Sequence, residues 1–154
     1  MNASESNEKT LEDLKGLIGK EFEAYRVEVE RGVIWKLAEA VGDNNPFWCD
    51  EEKAKKSKYG GIIASPALCM SMMMYGYKPG VSLPMKRGLD AWHDFKFYLP
   101  IRIGDVIDVK SRLVDVYERQ GRKRGKMIFF VFETILTNQR REKICTHRGS
   151  MLMY

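Results

Sequence analysis

The loop between residues 42 and 50 holds the polar side chains whose spacing best suits chemistry. It reads Gly42-Asp43-Asn44-Asn45-Pro46-Phe47-Trp48-Cys49-Asp50, and its Gly, Asp, Asn and Pro content predicts defined turns. The carboxylate of Asp43 can exchange a proton, whereas the indole of Trp48 can neither accept nor deliver one near pH 7. The simpler interpretation is that Asp43 braces the loop and that Asn45, before a proline, is a turn residue.

The histidines and the other thiols carry no motif. The three cysteines, Cys49, Cys69 and Cys145, are odd in number and lack metal-ligand spacing, which indicates a reduced, cytoplasmic compartment. His93 shares a predicted strand face with two phenylalanines, where a packed or edge residue is the expected role. His147 lies in the last predicted strand among polar neighbours. We therefore expect neither a metal nor a cofactor.

The most apolar stretch of the chain predicts a buried helix. Residues 67–75 are apolar on every side apart from Ser71, and a helix without a polar face must be buried on all sides. Ser65 is a candidate N-cap, and Pro66 suits the first turn because its missing N–H would be unpaired there. The stretch is too short to span a bilayer, and the polar residues 2–12 are not a signal peptide, so we expect no membrane insertion.

Apolar periodicity predicts an α+β domain around this helix. Helices are predicted over residues 32–41 and 51–57, the second with Asp50 as its N-cap. A strand is predicted over residues 21–30, and an antiparallel meander over residues 89–98, 105–118, 127–137 and 143–154. We expect an N-terminal arm or short helix over residues 1–18 and a single domain over residues 19–154, in which a long antiparallel sheet wraps around the central helix.

The net charge of +5 permits an anionic partner but does not demand one. The basic run from Arg119 to Lys126 is interpreted as a solvated hairpin tip. No zinc-finger spacing, RNP-like aromatic motif or helix-turn-helix pattern stands out, so we expect no nucleic-acid binding.

Three segments occur in an order known from one protein family. They read Gly42-Asp43-Asn44-Asn45-Pro46, then Tyr59-Gly60-Gly61-Ile62-Ile63-Ala64-Ser65-Pro66, then Phe95-Lys96-Phe97-Tyr98-Leu99-Pro100-Ile101-Arg102-Ile103-Gly104-Asp105. The set resembles the MaoC-like hot-dog proteins, which include R-specific enoyl-CoA hydratases and 3-hydroxyacyl dehydratases, and above all their fatty-acid-synthase-like, N-terminal-type dehydratase branch. The resemblance covers roughly residues 19–154 and implies a hot-dog fold, an acyl-thioester substrate and a dimer with the ligand between its subunits.

Two departures from the family pattern concern the chemistry. The resemblance assigns catalytic positions to Asp43 and Asn45, but Trp48 stands where active members carry a histidine. Active members also hold the thioester oxygen with a glycine N–H at the start of the central helix, where this chain has Ser65-Pro66 and proline has no N–H. A general base is worth on the order of 10²–10⁴-fold in rate and an oxyanion donor about 3 kcal/mol. The chain is therefore not expected to hydrate a substrate alone.

The resemblance leads to the interpretation that this chain is the degenerate partner in a heteromeric hydratase or dehydratase. A second hot-dog subunit would supply the Asp/His pair, and this chain would shape the acyl pocket for a CoA or acyl-carrier-protein thioester. Methionine suits irregular apolar ligands, which favours pocket positions on the central helix. The residues expected to contact the substrate are Trp48, Gly61, Ile63, Ala64, Ser65, Pro66, Met72 and Met73.

Two other functions stay open. A homodimer could act by itself as a hydratase or thioesterase that uses Asp43 with water or with His93. Alternatively, the chain could be an acyl-CoA-binding module without chemistry. For the basic run from Arg119 to Lys126, the functional alternative is contact with CoA phosphates or with an acidic carrier protein. The sequence does not fix the acyl group, its carrier, the homomeric or heteromeric assembly, or the direction of the reaction.

Overall fold

The computed structural model describes residues 10–22, 25–75, 87–122 and 125–154. The helices and strands of this part of the chain are α1 Leu11–Lys15, β1 Tyr25–Glu28, α2 Arg31–Ala40, α3 Pro46–Cys49, α4 Glu51–Lys56, α5 Ala67–Tyr75, β2 Gly88–Phe97, β3 Val106–Gly121, β4 Gly125–Thr137 and β5 Lys143–Met153. Helix α1 falls within the predicted N-terminal arm, whose residues 1–9 lie outside the described residues. The division of the chain at residue 19 stays a prediction.

Side-chain caps decide where the short helices begin. At α1 the Thr10 hydroxyl accepts the Asp13 N–H at 3.2 Å, and the Asp13 carboxylate accepts the Thr10 N–H at 2.8 Å, which is a capping box. Asp50 accepts the Lys53 N–H at 3.0 Å, so Asp50 caps α4 as predicted.

The prediction that residues 42–50 are loop throughout is wrong, because Pro46–Cys49 form the one-turn helix α3. The Asn45 side chain accepts the Phe47 N–H at 3.0 Å, and the fixed φ of Pro46 suits the first helical position. The residues interpreted as turn formers from the sequence therefore start a helix here.

The strands form one antiparallel sheet in the order β1-β3-β4-β5-β2. Strands β3, β4 and β5 are consecutive neighbours, as the predicted meander requires. The meander is wrong for β2, which pairs with β5 instead of β3, with Phe97 opposite Cys145. After β2 the chain passes the start of α5, where the Ala64 N–H donates to the Ile101 carbonyl at 2.8 Å. Strand β3 therefore lies next to β1, near the edge of the sheet opposite to β2.

Two apolar clusters share the inner face of the sheet, because paired residues on neighbouring antiparallel strands point to the same side. The central cluster lies beneath α2 and α5 and includes Ile34, Leu68, Met72, Val109, Leu136 and Cys145. The N-terminal cluster lies beneath α1 and consists of Leu14, Leu113, Val116, Ile128, Phe130 and Phe132.

A polar row crosses four strands between these clusters. Ser111 on β3 pairs with Thr134 on β4, which in turn pairs with His147 on β5, and the two hydroxyl oxygens are 2.8 Å apart. His147 Nε2 lies 2.9 Å from Nδ1 of His93 on β2. Gly149 leaves the space for this contact, since a Cβ there would lie 2.5 Å from His147 Nε2 and 2.8 Å from His93 Nδ1.

The prediction that the central helix is buried on all sides is wrong within the single chain. Leu68, Cys69, Met72 and Met73 of α5 are buried, but Met70 is 42% exposed. The sheet covers one side of α5 and α2 contacts another. The side that carries Met70 has no cover among the described residues.

We expect Gly149→Ala to destabilise the fold by about 1–3 kcal/mol, because the added methyl group meets both imidazoles and one ring must move. Urea denaturation measures this loss. Gly32→Ala is the matched control, since a Cβ at Gly32 in helix α2 meets nothing within 4 Å and alanine is the better helix former. Equal stability of the two variants would contradict the described contact.

We also expect the stability to fall as the solution is acidified from about pH 6.5 towards 4. Burial, and next the charge of His93, lower the pKa of His147 from 6.5 to about 4. Between these values the unfolded chain binds a proton at His147 that the folded chain does not, so unfolding is favoured as the pH drops. Each pKa unit corresponds to about 1.4 kcal/mol. Urea denaturation at pH 7.5 and 5 should show this slope, and His147→Gln should reduce it; an unchanged slope in the variant would assign it to other groups.

Candidate functional site

A cavity of about 530 Å³ lies where three parts of the chain meet. Its wall is drawn from α3 and its cap, from residues 58–66, and from residues 97–101 at the end of β2. We call it the main cavity. It opens to the surface, and its wall is mostly apolar, as suits an apolar ligand with few polar contacts.

Backbone hydrogen bonds hold the three parts together. The Ile63 N–H donates to the Phe47 carbonyl at 3.1 Å, and the Ala64 N–H donates to the Ile101 carbonyl at 2.8 Å. Two adjacent residues thus connect α3 on one side to the segment after β2 on the other. A side chain strengthens this connection, because the Arg102 guanidinium donates to the Tyr59 carbonyl at 2.7 Å.

Asp43 is engaged in the loop that precedes α3. Its carboxylate accepts the Asn45 N–H at 3.2 Å, and its carbonyl accepts the Trp48 indole N–H at 3.2 Å and the Cys49 thiol at 3.6 Å. Asp43 is half-buried and is not among the described residues that line the main cavity. This geometry favours the loop-bracing interpretation, while its catalytic assignment stays a prediction.

Asn45 and Trp48 both line the main cavity. The amide oxygen of Asn45 caps α3 through the Phe47 N–H, which leaves its NH₂ group as the donor that can face a ligand. The indole of Trp48 is half-buried and packs against the central cluster. Trp48 therefore contributes a wall, and Asn45 contributes one polar group.

The start of α5 offers the cavity few backbone donors. Pro66 has no N–H, and the Ala67 N–H points to the Ser65 hydroxyl at 3.4 Å. The Ala64 N–H is engaged by Ile101. The Ser65 hydroxyl, which lines the cavity, is thus the polar group that this turn presents.

The predicted substrate-contact residues divide between the main cavity and other places. Trp48, Ile63, Ala64, Ser65 and Pro66 line the main cavity. Gly61 belongs to the same segment without being among the lining residues. Met72 borders a separate apolar cavity of about 280 Å³ between β1, α2 and α5, and Met73 is 1% exposed and packed in the interior.

Sequence reasoning missed one wall of the main cavity. Phe97, Tyr98 and Leu99, together with Cys69 on α5, line it. The family resemblance of residues 95–105 was the sequence signal that could have indicated this wall. Its contact with the cavity depends on the crossing after β2, which the meander prediction did not contain.

Three lysines lie in or beside the wall of the main cavity, and we call them its basic rim. Lys58 lines it, and the ammonium groups of Lys96 and Lys143 lie 5.4 and 5.3 Å from the ring centroid of Tyr98, which also lines it. Among the described residues, none of these three lysines has a carboxylate within 4.0 Å. An apolar wall with a basic rim suits a ligand that has an apolar part and an anionic part.

The basic hairpin tip lies far from this rim. Phe97, which lines the main cavity, lies opposite Cys145, and Cys145 lies opposite Leu136. By contrast, β3 and β4 meet at Gly121 and Gly125. The separation is roughly 35 Å along β4 at about 3.3 Å per residue. Within one chain, the described part of the tip cannot contact a ligand group held at the rim; residues 123 and 124 lie outside the described residues.

The cysteine in the cavity wall is a poor nucleophile. A hydrogen bond with Cys145, together with burial, raises the pKa of the Cys69 thiol. The reactive thiolate is therefore disfavoured near neutral pH.

Within the described residues, no group of three or more His, Cys, Asp or Glu side chains could hold a metal ion. In the same residues, no helix has the length and apolar character needed to cross a membrane.

Comparison with known proteins identifies the family. A model of the FAS1-like dehydratase domain region matches residues 16–147. The chain belongs to the FAS1-like dehydratase family. It is similar to a UPF0336 protein from Thermobifida fusca, with 28% identity over 99 residues, which is 61% of this chain and 65% of that protein. The chain thus spans slightly less than two thirds of that relative.

Similar solved structures confirm the fold. A MaoC-like dehydratase from Rhodospirillum rubrum superposes with a TM-score of 0.72 at 24% identity, over 92% of this chain and 95% of that one. The HadBC 3R-hydroxyacyl-ACP dehydratase complex from Mycobacterium tuberculosis gives 0.75 at 20% identity, over 88% and 96%. The α+β hot-dog fold and the MaoC-like resemblance inferred from the sequence are both confirmed.

We expect Asp43→Ala to destabilise the fold by about 0.5–1.5 kcal/mol, because the Asn45 N–H loses its acceptor. Asp43→Asn keeps an oxygen at the same place and should cost less than half of that. Urea denaturation separates the two, with the exposed neighbour Asn44→Ala as the control. An equal loss for the alanine and asparagine variants would contradict the bracing role of the carboxylate oxygen.

Proposed function

We propose that this chain is the pocket-forming subunit of a MaoC-like hydratase or dehydratase that acts on an acyl thioester. A second hot-dog subunit supplies the catalytic Asp/His pair. The observation that carries the proposal is the Trp48 indole in the wall of the main cavity, at the position where the family's acid–base group stands.

Hydration of an enoyl thioester needs a base for the attacking water and a donor for the developing enolate oxygen. Indole does not exchange protons near pH 7, and one oxygen of the Asp43 carboxylate accepts the Asn45 N–H. At the start of α5, Pro66 has no N–H, and the Ala67 N–H points to Ser65. This chain's own residues therefore support binding and orientation of the substrate better than the proton transfers.

The features of the main cavity fit the binding half of the reaction. The apolar wall, with Trp48 and Phe97, accommodates the acyl part and excludes water from it. The lysines at the rim, Lys58, Lys96 and Lys143, suit the phosphate groups of a CoA or phosphopantetheine arm. Among the polar groups of the lining, we assign the Asn45 amide and the Ser65 hydroxyl to the thioester region.

Exposed apolar side chains support the need for a second subunit. Strand β2 is an edge of the sheet and exposes Leu89, Trp92 and Phe97, and Met70 of α5 is uncovered. Edge strands offer unpaired backbone groups to another chain. The HadBC relative is a complex by its own description. We therefore propose a hot-dog dimer, heteromeric because this chain lacks the base. Its three free thiols suit a cytoplasmic setting.

The test is reconstitution. The isolated chain should bind an acyl-CoA in calorimetry and show no hydratase activity, and activity should appear when it is mixed with a hot-dog subunit that carries an intact Asp/His pair. Each missing catalytic group lowers the rate on the order of 10²-fold or more, so activity of the isolated chain should lie at the detection limit.

Three other outcomes would lead to different conclusions. Turnover by the isolated chain that is abolished in Asp43→Asn, which is expected to keep the loop, would support a self-sufficient homodimer. Binding without activity, whatever hot-dog partner is added, would support a binding module. Absence of any acyl-CoA binding, alone or with a partner, would overturn the proposal.

A further inference from the structure

Trp48 is the common wall of two cavities. On one side lies the main cavity, and on the other lies a side cavity of about 220 Å³ lined by Arg31, Trp35, Trp48, Cys49 and Ile62. The neighbours of Trp48 in α3 divide accordingly, with Phe47 on the main cavity and Cys49 on the side cavity. Trp48 is therefore the residue that the two linings share.

The position of this indole is set by the same loop that braces α3. Its N–H donates to the Asp43 carbonyl at 3.2 Å, and the Asn45 cap fixes the turn that carries it. On its inner side the ring packs against the central cluster. The ring is thus held by one polar contact and by packing. We expect the backbone contacts of α3 to remain when the ring is removed.

The side cavity has a mixed polar and apolar lining. Trp35 and Ile62 give it apolar surface, and Arg31 lies at its border with its guanidinium 2.9 Å from Glu51. Aromatic and aliphatic walls favour a flat or branched apolar group.

We propose that Trp48 is the specificity-determining residue of the site, and that its indole separates the main cavity from the side cavity and so keeps bulky acyl groups out of the side cavity. This inference rests on the proposed function, because it assigns the main cavity to the acyl part of a thioester. The indole thus takes the place of an acid–base group and acts as a size filter.

The experiment compares two ligands, butyryl-CoA and 3-phenylpropanoyl-CoA, whose dissociation constants are measured by calorimetry. The wild-type chain should favour butyryl-CoA. Trp48→Ala opens the partition and should improve binding of the phenyl-bearing ligand at least tenfold relative to butyryl-CoA, because pocket fit alone discriminates by about 10–200-fold. Trp48→Phe keeps a ring in the partition and should stay near the wild-type preference. An unchanged preference in Trp48→Ala would overturn the inference.

A second measurement approaches the partition from the other side and needs no change at Trp48. Cys49 is exposed and lines the side cavity, whereas Cys69 and Cys145 are buried, so a bulky maleimide should label Cys49 selectively. In the wild-type chain this label should leave butyryl-CoA binding unchanged, since the indole screens it. In Trp48→Ala the same label should abolish the improved binding of 3-phenylpropanoyl-CoA.

The outcomes separate this inference from the proposed function. Loss of butyryl-CoA binding on labelling of the wild-type chain would show that Trp48 does not divide the two spaces and would overturn the inference alone. Failure of every chain, labelled or not, to bind either thioester would overturn the proposed function as well.

Discussion

Helix α5 has no polar face, and most of the fold follows from the need to cover it. The sheet contributes Val109, Leu136 and Cys145 beneath the helix, and α2 contributes Ile34 beside it. With the helix fixed on the sheet, its first turn lies beside the segment that follows β2, and the backbone bond between Ala64 and Ile101 closes that junction. The main cavity is the space that this junction leaves between α3, the start of α5 and the end of β2. The position of the site thus follows from how this apolar helix packs on the sheet.

The polar groups around the cavity are largely used by the fold. The carboxylate of Asp43 and the amide oxygen of Asn45 satisfy backbone N–H groups at the start of α3, and Ser65 faces the first N–H of α5. In this chain these three side chains stabilise the turns before α3 and α5. Binding surfaces need fewer fixed polar groups than catalytic ones do, which is why an apolar wall with a basic rim is compatible with this arrangement.

Local features could be predicted from the sequence, and non-local ones could not. Ser65, Pro66 and the apolar run located α5, and Asp50 located α4, because caps and periodicity act within a few residues. The place of β2 next to β5 depends on a crossing that no local pattern encodes. For the same reason the cavity wall at Phe97 to Leu99 and the contact between His93 and His147 were missed, since each joins residues distant in sequence. The predicted contacts that lie near Trp48 and Ser65 line the cavity, whereas Met73 does not.

The polar row on the inner face has a consequence for how the strands find one another. Apart from Thr134 and His147, the residues of β4 and β5 that share the inner face are apolar or glycine. A slip of two residues would therefore still place apolar groups against apolar groups and keep every side chain on its proper face. The row removes this tolerance. A two-residue slip of β5 would set His147 against Phe132 or Leu136 instead of Thr134, and one of β3 would take Ser111 away from its hydroxyl partner. A buried polar group without a partner costs about 1–3 kcal/mol, so one line of four polar residues disfavours mispaired sheets that hydrophobicity alone would accept.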